Sequence, residues 1–211
     1  FRVYDSAGVL TADTYDFKGN PLRSIRQLAN TVDVEGEAKP AYCTRVDWGR
    51  DIALMPDAYV SHTSYDALSR PTQVVAPHRD APEAHVNVLQ PTYNEAGLLE
   101  RLDVWLEQPE VPTAAIDRKT IGPSPVGIAN IDYDAKAQRQ AIKYSNGVST
   151  RYHYDPNTFR LIHLRTGKSG RALQDLRYTF DPAGNITHIR DDAHQEVFFA
   201  NARVEASAQY R

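Results

Sequence analysis

Residues 176–192 read Leu176-Arg177-Tyr178-Thr179-Phe180-Asp181-Pro182-Ala183-Gly184-Asn185-Ile186-Thr187-His188-Ile189-Arg190-Asp191-Asp192, and the turn at their centre is the pattern that the rest of the chain varies. Asp181, Pro182 and Gly184 hold the first, second and fourth places of a type I turn, where each residue type is favoured. The aspartate accepts a backbone N–H two residues on, the proline presets φ, and the glycine takes φ > 0 to re-aim the chain. With Gly184 as the bulge that ends a three-residue loop, Asp181 pairs with Asn185 and Phe180 stands opposite Ile186. Continued without interruption, that register sets His188 opposite Tyr178.

The unit recurs. Tyr4-Asp5-Ser6-Ala7-Gly8, Tyr15-Asp16-Phe17-Lys18-Gly19 and Tyr93-Asn94-Glu95-Ala96-Gly97 join Phe180 to Gly184 as four full copies of aromatic-Asp/Asn-x-x-Gly. Weaker copies follow Tyr65-Asp66, Tyr133-Asp134 and Tyr154-Asp155, with Ser69, Ala137 and Thr158 in the glycine place. Internal repetition decides the architecture before any site is considered. The expectation is an all-β chain of consecutive antiparallel hairpins forming a long twisted or curled sheet, each hairpin supported by its neighbours. The aromatic of each unit is read as a packing anchor and the Asp or Asn after it as a turn former.

Between the units the pattern varies. Residues 31–60 and 106–128 lose it and are read as irregular excursions, with Trp48 and Tyr59 as anchors after the first polar loop. The stretch from Pro109 to Pro125 contains four prolines, both ends included. The stretch 98–108, Leu-Leu-Glu-Arg-Leu-Asp-Val-Trp-Leu-Glu-Gln, fits either helical spacing or strand alternation, and within a β array the strand is favoured. At Ser145-Asn146-Gly147 a three-residue loop pairs Tyr144 with Val148, Ile142 with Thr150 and Gln140 with Tyr152, gathering apolar residues on one face. A two-residue Asn-Gly turn scatters them, so the pattern selects the register.

Tyr-Asp-x-x-Gly-Asn/Arg units joined by Thr-x-Tyr-x-Tyr-Asp runs resemble the YD repeats of Rhs proteins. More narrowly, Asn146 to Thr150 leading to Tyr154-Asp155-Pro156, then Gln174-Asp175-Leu176 and Asp181 to Thr187 with Ile189 to Asp192, resemble the B component of Tc-type insecticidal toxin complexes. The likeness is densest over 130–199, fair over 1–28 and 61–105, and poor over 31–60 and 106–128. It implies a hollow shell built by B and C components around a toxic C-terminal segment, with delivery through the channel of the A component. By the same resemblance the complex is secreted or extracellular. The opening at Phe1 inside a strand-like phrase and the close at Tyr210-Arg211 lead us to expect that residues 1–211 are a single repeat segment cut from a longer protein.

Composition narrows the function. A net charge of -3 over 211 residues argues against nucleic acid as a partner, because phosphate binding needs a concentrated basic surface. No run approaches the roughly 20 successive apolar residues of a transmembrane helix. Twelve tyrosines against six phenylalanines suit strands with one wet face. The single cysteine, Cys43, excludes an internal disulfide and a cysteine-based zinc cluster, and it lacks the frame of a Cys-His nucleophile.

The remaining candidates have structural readings. His188, Asp191, Asp192 and His194 offer metal-ligand types, yet their place in a hairpin and its following turn favours structural polar roles. Thr166-Gly167-Lys168-Ser169-Gly170 lacks the earlier glycine of a phosphate loop, since Ile162 occupies that position, and reads as a polar turn. Asp155-Pro156 and Asp181-Pro182 serve turns rather than aspartyl self-cleavage. We therefore expect no catalysis, no cofactor and no metal, and a structural wall segment as the function. The alternative is a binding module for surface glycans or a partner protein, through exposed tyrosines and arginines.

Overall fold

A computed structural model describes residues 1–30, 46–49, 51–194, 197–199 and 202–210. Among them the regular structure is entirely β: β1 (Arg2–Tyr4), β2 (Gly8–Tyr15), β3 (Pro21–Ala29), β4 (Leu54–Tyr65), β5 (Pro71–Arg79), β6 (Val86–Tyr93), β7 (Leu99–Gln108), β8 (Ile128–Tyr133), β9 (Arg139–Tyr144), β10 (Ser149–Tyr154), β11 (Leu161–Lys168), β12 (Arg171–Phe180), β13 (Ile186–Asp191), β14 (Val197–Phe199), β15 (Ala202–Val204) and β16 (Ser207–Gln209). Hydrogen-bonded neighbours follow chain order from β1 to β13 and then β16, while β14 and β15 pair with each other. The registers are antiparallel, as hairpins joined by short turns require. The all-β hairpin array expected from the repeats is the fold observed. No helix among the described residues is long and apolar enough to cross a membrane.

By internal contacts the chain divides into two compact units, Phe1–Pro91 with Asp103–Ser124, and Thr92–Leu102 with Pro125–Arg211. In the first, the core is β-branched and aromatic. Alternate residues of β5 and β6 turn inward, so that Val75, Val86 and Val88 pack with Trp105 of β7. Val111 and Ile116, from the proline-rich connection after β7, cover this cluster. Their backbone is tied down by side chains beneath it. Ile116 N–H donates to Gln90 Oε1 at 2.6 Å, Gln73 Nε2 donates to the Ala114 carbonyl at 3.2 Å, and Trp105 Nε1 donates to the Ile121 carbonyl at 2.9 Å.

The second unit has a thinner core that follows one ladder of facing residues. Ile131 of β8 opposes Ile142 of β9, which opposes Thr150 of β10, which opposes Thr166 of β11. The first three are buried, and the two threonine hydroxyls bond at 2.8 Å, the kind of cross-strand pair that fixes register.

β7 resolves the ambiguity of residues 98–108 in favour of the strand. The stretch 31–60, read from sequence as an excursion, contains β4 from Leu54 onward; Val60 is buried and stands opposite Ile25 of β3. The repeat signal marks turns, so a strand entered without such a turn goes unread. Residues 31–45, including Cys43, lie outside the described residues. β7 ends at Gln108, and residues 109–127 contain no strand.

Candidate functional site

Most of the aromatic-Asp/Asn units build the same small machine at a hairpin end. At residues 180–186, Asp181 N–H donates to the Asn185 carbonyl and Gly184 N–H to the Asp181 carbonyl, closing a three-residue loop. The carboxylate serves as the hub: Oδ1 accepts from the N–H groups of Gly184 (2.7 Å) and Asn185 (2.8 Å), and Oδ2 from Asn185 Nδ2 (2.8 Å). The same loop closes at Asp16, Asp66, Asn94 and Asp134. The acceptor pattern recurs with the chemistry available: Asp66 also holds Arg70 Nε at 2.7 Å, and Asn94 Oδ1 accepts the Leu98 N–H at 2.9 Å. Tyr144 to Val148 makes an equivalent loop without an aspartate, the three-residue form that the apolar pattern selects.

These bonds favour the ionised carboxyl. The side-chain amide of Asn185 holds the Asp181 carboxyl below its ordinary value, Asn20 does the same for Asp16, and the Arg70 and Thr158 backbone N–H groups act on Asp66 and Asp155. At Asp5 a bidentate pair with Arg26 lowers the pKa to about 2.

The left-handed place of the turn tolerates more than glycine. Gly19, Gly97 and Gly184 have φ of 87°, 77° and 102°, while Ser69 and Ala137 adopt 62° and 63°. Thr158 does not follow them. The Asp155 loop is one residue longer, and Phe159 takes the left-handed position at 59°, because Arg160 rather than Phe159 supplies the closing carbonyl. The Tyr4 copy also departs: Asp5 N–H donates to the Gly8 carbonyl, so only Ser6 and Ala7 lie between the paired residues. Gly8 is needed there for another reason, since a Cβ would run into the Gln27 carbonyl oxygen of β3.

A bulge follows the turn in five of the copies, those of Tyr15, Tyr65, Tyr133, Tyr154 and Phe180. Phe180 opposes Ile186 as the turn chemistry requires, but Thr179 then opposes His188, leaving Thr187 unpaired. Leu22, Thr72, Gln140 and Ile162 are skipped in the same way. The uninterrupted register that set His188 against Tyr178 is therefore corrected: Tyr178 opposes Ile189. Strict two-residue alternation cannot register the extra residue, and the bulge adds twist where it sits.

The turns also grip one another, which the sequence reading missed. Tyr133 Oη on β8 donates to the Leu99 carbonyl (2.7 Å), and Tyr154 Oη on β10 to the Arg139 carbonyl (3.0 Å). Arg139 is itself the partner of Tyr133, so each hydroxyl reaches the first residue after the preceding turn. Gln138 Nε2 donates to the Phe159 carbonyl (2.9 Å), and Arg160 donates to the Asp181 carbonyl (3.1 Å) while its guanidinium lies over the Phe180 ring. In the first unit Lys18 reaches the Ala67 carbonyl and Asn20 Nδ2 the Ser69 hydroxyl. A preference for tyrosine over phenylalanine before the Asp was the available signal. The anchors themselves are half-buried at Tyr65, Tyr93, Tyr133, Tyr154 and Phe180, and exposed at Tyr4 and Tyr15.

The other sequence candidates separate. Asp192 accepts from Arg190 (2.6 Å) and Arg177 (2.7 Å), which lower its pKa to about 2, with Arg190 the larger influence. Asp191 Oδ1 accepts the N–H groups of Asp175 and Ala193, and Oδ2 lies 3.6 Å from His194 Nε2. Among the described residues no group of three or more His, Cys, Asp or Glu side chains is placed to hold a metal. Ser169 and Gly170, both left-handed, form a two-residue turn between Lys168 and Arg171, so Gly167 to Gly170 belong to a hairpin and not to a strand-to-helix phosphate loop. Trp48 anchors as expected, donating from Nε1 to the Asp5 carbonyl at 2.7 Å with its ring edge-on to Tyr4. Beside that pair lies a cleft of about 370 Å³ that also presents Arg2 and Asp51.

No family model matches the chain. Two curated proteins of Yersinia entomophaga do: toxin subunit YenC1 is 36% identical over 218 residues, and toxin subunit YenC2 is 28% identical over 220 residues. Each alignment covers 99% of this chain and 20% of the relative, so the chain spans about a fifth of their length. Among solved structures, a TcdB2-TccC3 crystal structure superposes over the whole chain with a TM-score of 0.64 at 26% identity. A Photorhabdus luminescens Tc holotoxin pore gives 0.66 at 28% identity over 99% of the chain. This chain corresponds to 9% of each of those chains.

Proposed function

We propose that the chain, which is similar in sequence and fold to subunits of Tc toxin complexes, is a YD-repeat segment of the Rhs class and a wall section of a shell. The shell encloses a toxic C-terminal polypeptide in a bacterial toxin complex and performs no catalysis itself. Its partners are the rest of the same shell, drawn from B and C components, the enclosed segment, and the A-component channel in the whole assembly. The names YenC1 and YenC2 favour a C-type subunit. A secreted, extracellular complex is the setting.

One observation carries this reading: the carboxylates of Asp16, Asp66, Asp134, Asp155 and Asp181 accept within their own loops and that of Asp5 is held by Arg26, and successive turns are joined by tyrosine and arginine clasps. Such residues build a barrier by addition of hairpins and leave no aspartate of the repeat poised as an acid or base. The parent-length protein provides the test. Its C-terminal segment should resist added protease, and replacing both Tyr133 and Tyr154 by Ala should expose that segment to cleavage. Equal cleavage of the intact and doubly substituted proteins from the first time point would end the proposal.

A second reading has one feature in its favour. The cleft beside Tyr4 and Trp48 pairs aromatic surface with a guanidinium and a carboxylate, the combination that holds a sugar ring and its hydroxyls. Competable binding on a glycan array, lost in Trp48→Ala, would select a glycan-binding module instead.

A further inference from the structure

In the second unit, the β9–β10 and β11–β12 turns flank a depression of about 240 Å³ whose charged lining is Arg151, Arg165, Lys168 and Arg171, with no carboxylate among its lining residues. The register makes this concentration costly. Arg151 stands directly opposite Arg165, and Lys168 directly opposite Arg171, and like charges so placed destabilise a sheet. Arg165 has one neighbour to offset it, Asp175 Oδ2 at 3.5 Å, and the other oxygen of that carboxylate is held by His163 Nε2 at 2.5 Å. Among the described residues, Arg151, Lys168 and Arg171 have no ion-pair partner. At the neighbouring β12–β13 pair the arrangement is different. Arg177 opposes Arg190, and Asp192 bridges the two. In a chain whose net charge is -3, four cations around a concavity, three of them without an ion-pair partner among the described residues, are a local construction.

We propose that this depression is a binding site for a phosphate group, free or esterified. Guanidinium forks match the oxygen spacing of a tetrahedral oxyanion, and the lysine adds a point charge at the rim. A single carboxylate would leave most of the lining charge unmatched, whereas a phosphate dianion neutralises two of the cations and offers bonds to all four. Glycines keep the rim low. A Cβ at Gly167 would lie 2.9 Å from the Arg171 carbonyl oxygen, and one at Gly147 would reach 3.7 Å from Lys168 Cε. The site uses side chains on a hairpin pair and owes nothing to a phosphate loop. It is also independent of the shell reading.

Calorimetric titration and thermal melting of the 211-residue chain with inorganic phosphate, at constant ionic strength, test the assignment. Saturable one-to-one binding is expected, with a melting temperature that rises with phosphate and not with chloride. Arg151→Gln and Arg171→Gln should each weaken binding about tenfold, the loss of one charge-assisted contact. Without phosphate, these variants should melt at or above the wild-type temperature, because the opposed charges are gone; that separates lost binding from lost folding. Arg177→Gln, on the bridged pair, should bind phosphate as the wild type does. Phosphoserine binding as tightly as phosphate would assign an esterified group, and binding of phosphate alone would assign the free ion; either supports the site. Equal effects of chloride and phosphate, or unchanged affinity in the Arg151→Gln, Arg171→Gln double variant, would overturn it.

Discussion

Ala137 occupies a backbone conformation that its side chain disfavours, and it does so because the turn around Asp134 demands it. At φ of 63° a Cβ crowds the following carbonyl, which costs about 1 kcal/mol or more in an L-residue. Ala137→Gly should therefore stabilise the protein by about 0.5 kcal/mol, the relief of strain exceeding the added freedom of the unfolded chain. Gly184→Ala should act in the opposite sense, destabilising by about 1–2 kcal/mol from the left-handed φ alone. A new Cβ there would also stand 2.7 Å from Arg160 Nη2, the movable end of a side chain, so the clasp to Asp181 is disturbed as well. Denaturant titration of the two variants reads both signs, and a destabilised Ala137→Gly would show that the turn does not set the backbone. The tyrosine hydroxyls permit a cleaner subtraction. Tyr133→Phe and Tyr154→Phe keep the ring and remove only the bonds to Leu99 and Arg139, so each should cost about 1 kcal/mol by the same measurement.

Among the elements, β7 and the connection behind it concentrate the stability of the first unit. Trp105 is 1% exposed, touches the Val75, Val86 and Val88 cluster, and holds residue 121 of the proline-rich connection through its indole N–H. Trp105→Ala should cost about 3–5 kcal/mol, and hydrogen exchange should show the Ile116 and Ser124 amides losing protection with it. Phe180→Ala should cost less, about 1–2 kcal/mol, because that ring is half-buried rather than enclosed. This order was not legible in the sequence, where the repeating aromatics stand out and four scattered core residues do not. What could be read was local: Asp181, Asp16 and Asp66 with their turns, the Gly147 loop chosen by the faces it creates, and β7 as a strand. What could not be read was either an added residue or a distant partner. The skipped Thr187 changes which face His188 presents, the longer Asp155 loop moves the left-handed place to Phe159, and Tyr133 grips a carbonyl belonging to the preceding hairpin. Arg151 and Arg165 are unremarkable in sequence and meet only because β10 and β11 pair in this register.

For the whole chain, the titrating groups define a window of pH in which the fold is most stable. His62 has its pKa lowered from 6.5, first by burial and then by Arg23 and His78, so the unfolded chain binds a proton that the folded chain resists. Its contribution is complete above pH 6.5 and declines as the pH falls below that value. The carboxylates act next. Asp16, Asp66, Asp155 and Asp181 are lowered from 3.8, and Asp5 and Asp192 reach about 2. Their support is present above pH 3.8 and is lost as the pH falls through the folded values, so acid should open the turns as a group. At the alkaline side burial raises Tyr152, Tyr154 and Tyr178 above 10.0; their stabilisation is complete below that pH and disappears as pH rises through the folded values. Melting temperature plotted against pH should form a plateau from about 6.5 to 10, with a shallow decline to about 4 and a steep one below. His62→Asn should erase the shallow decline and leave the steep one. A wild-type profile flat from pH 7 to pH 3 would contradict the assignment of the turn carboxylates as the charged hubs of the repeat.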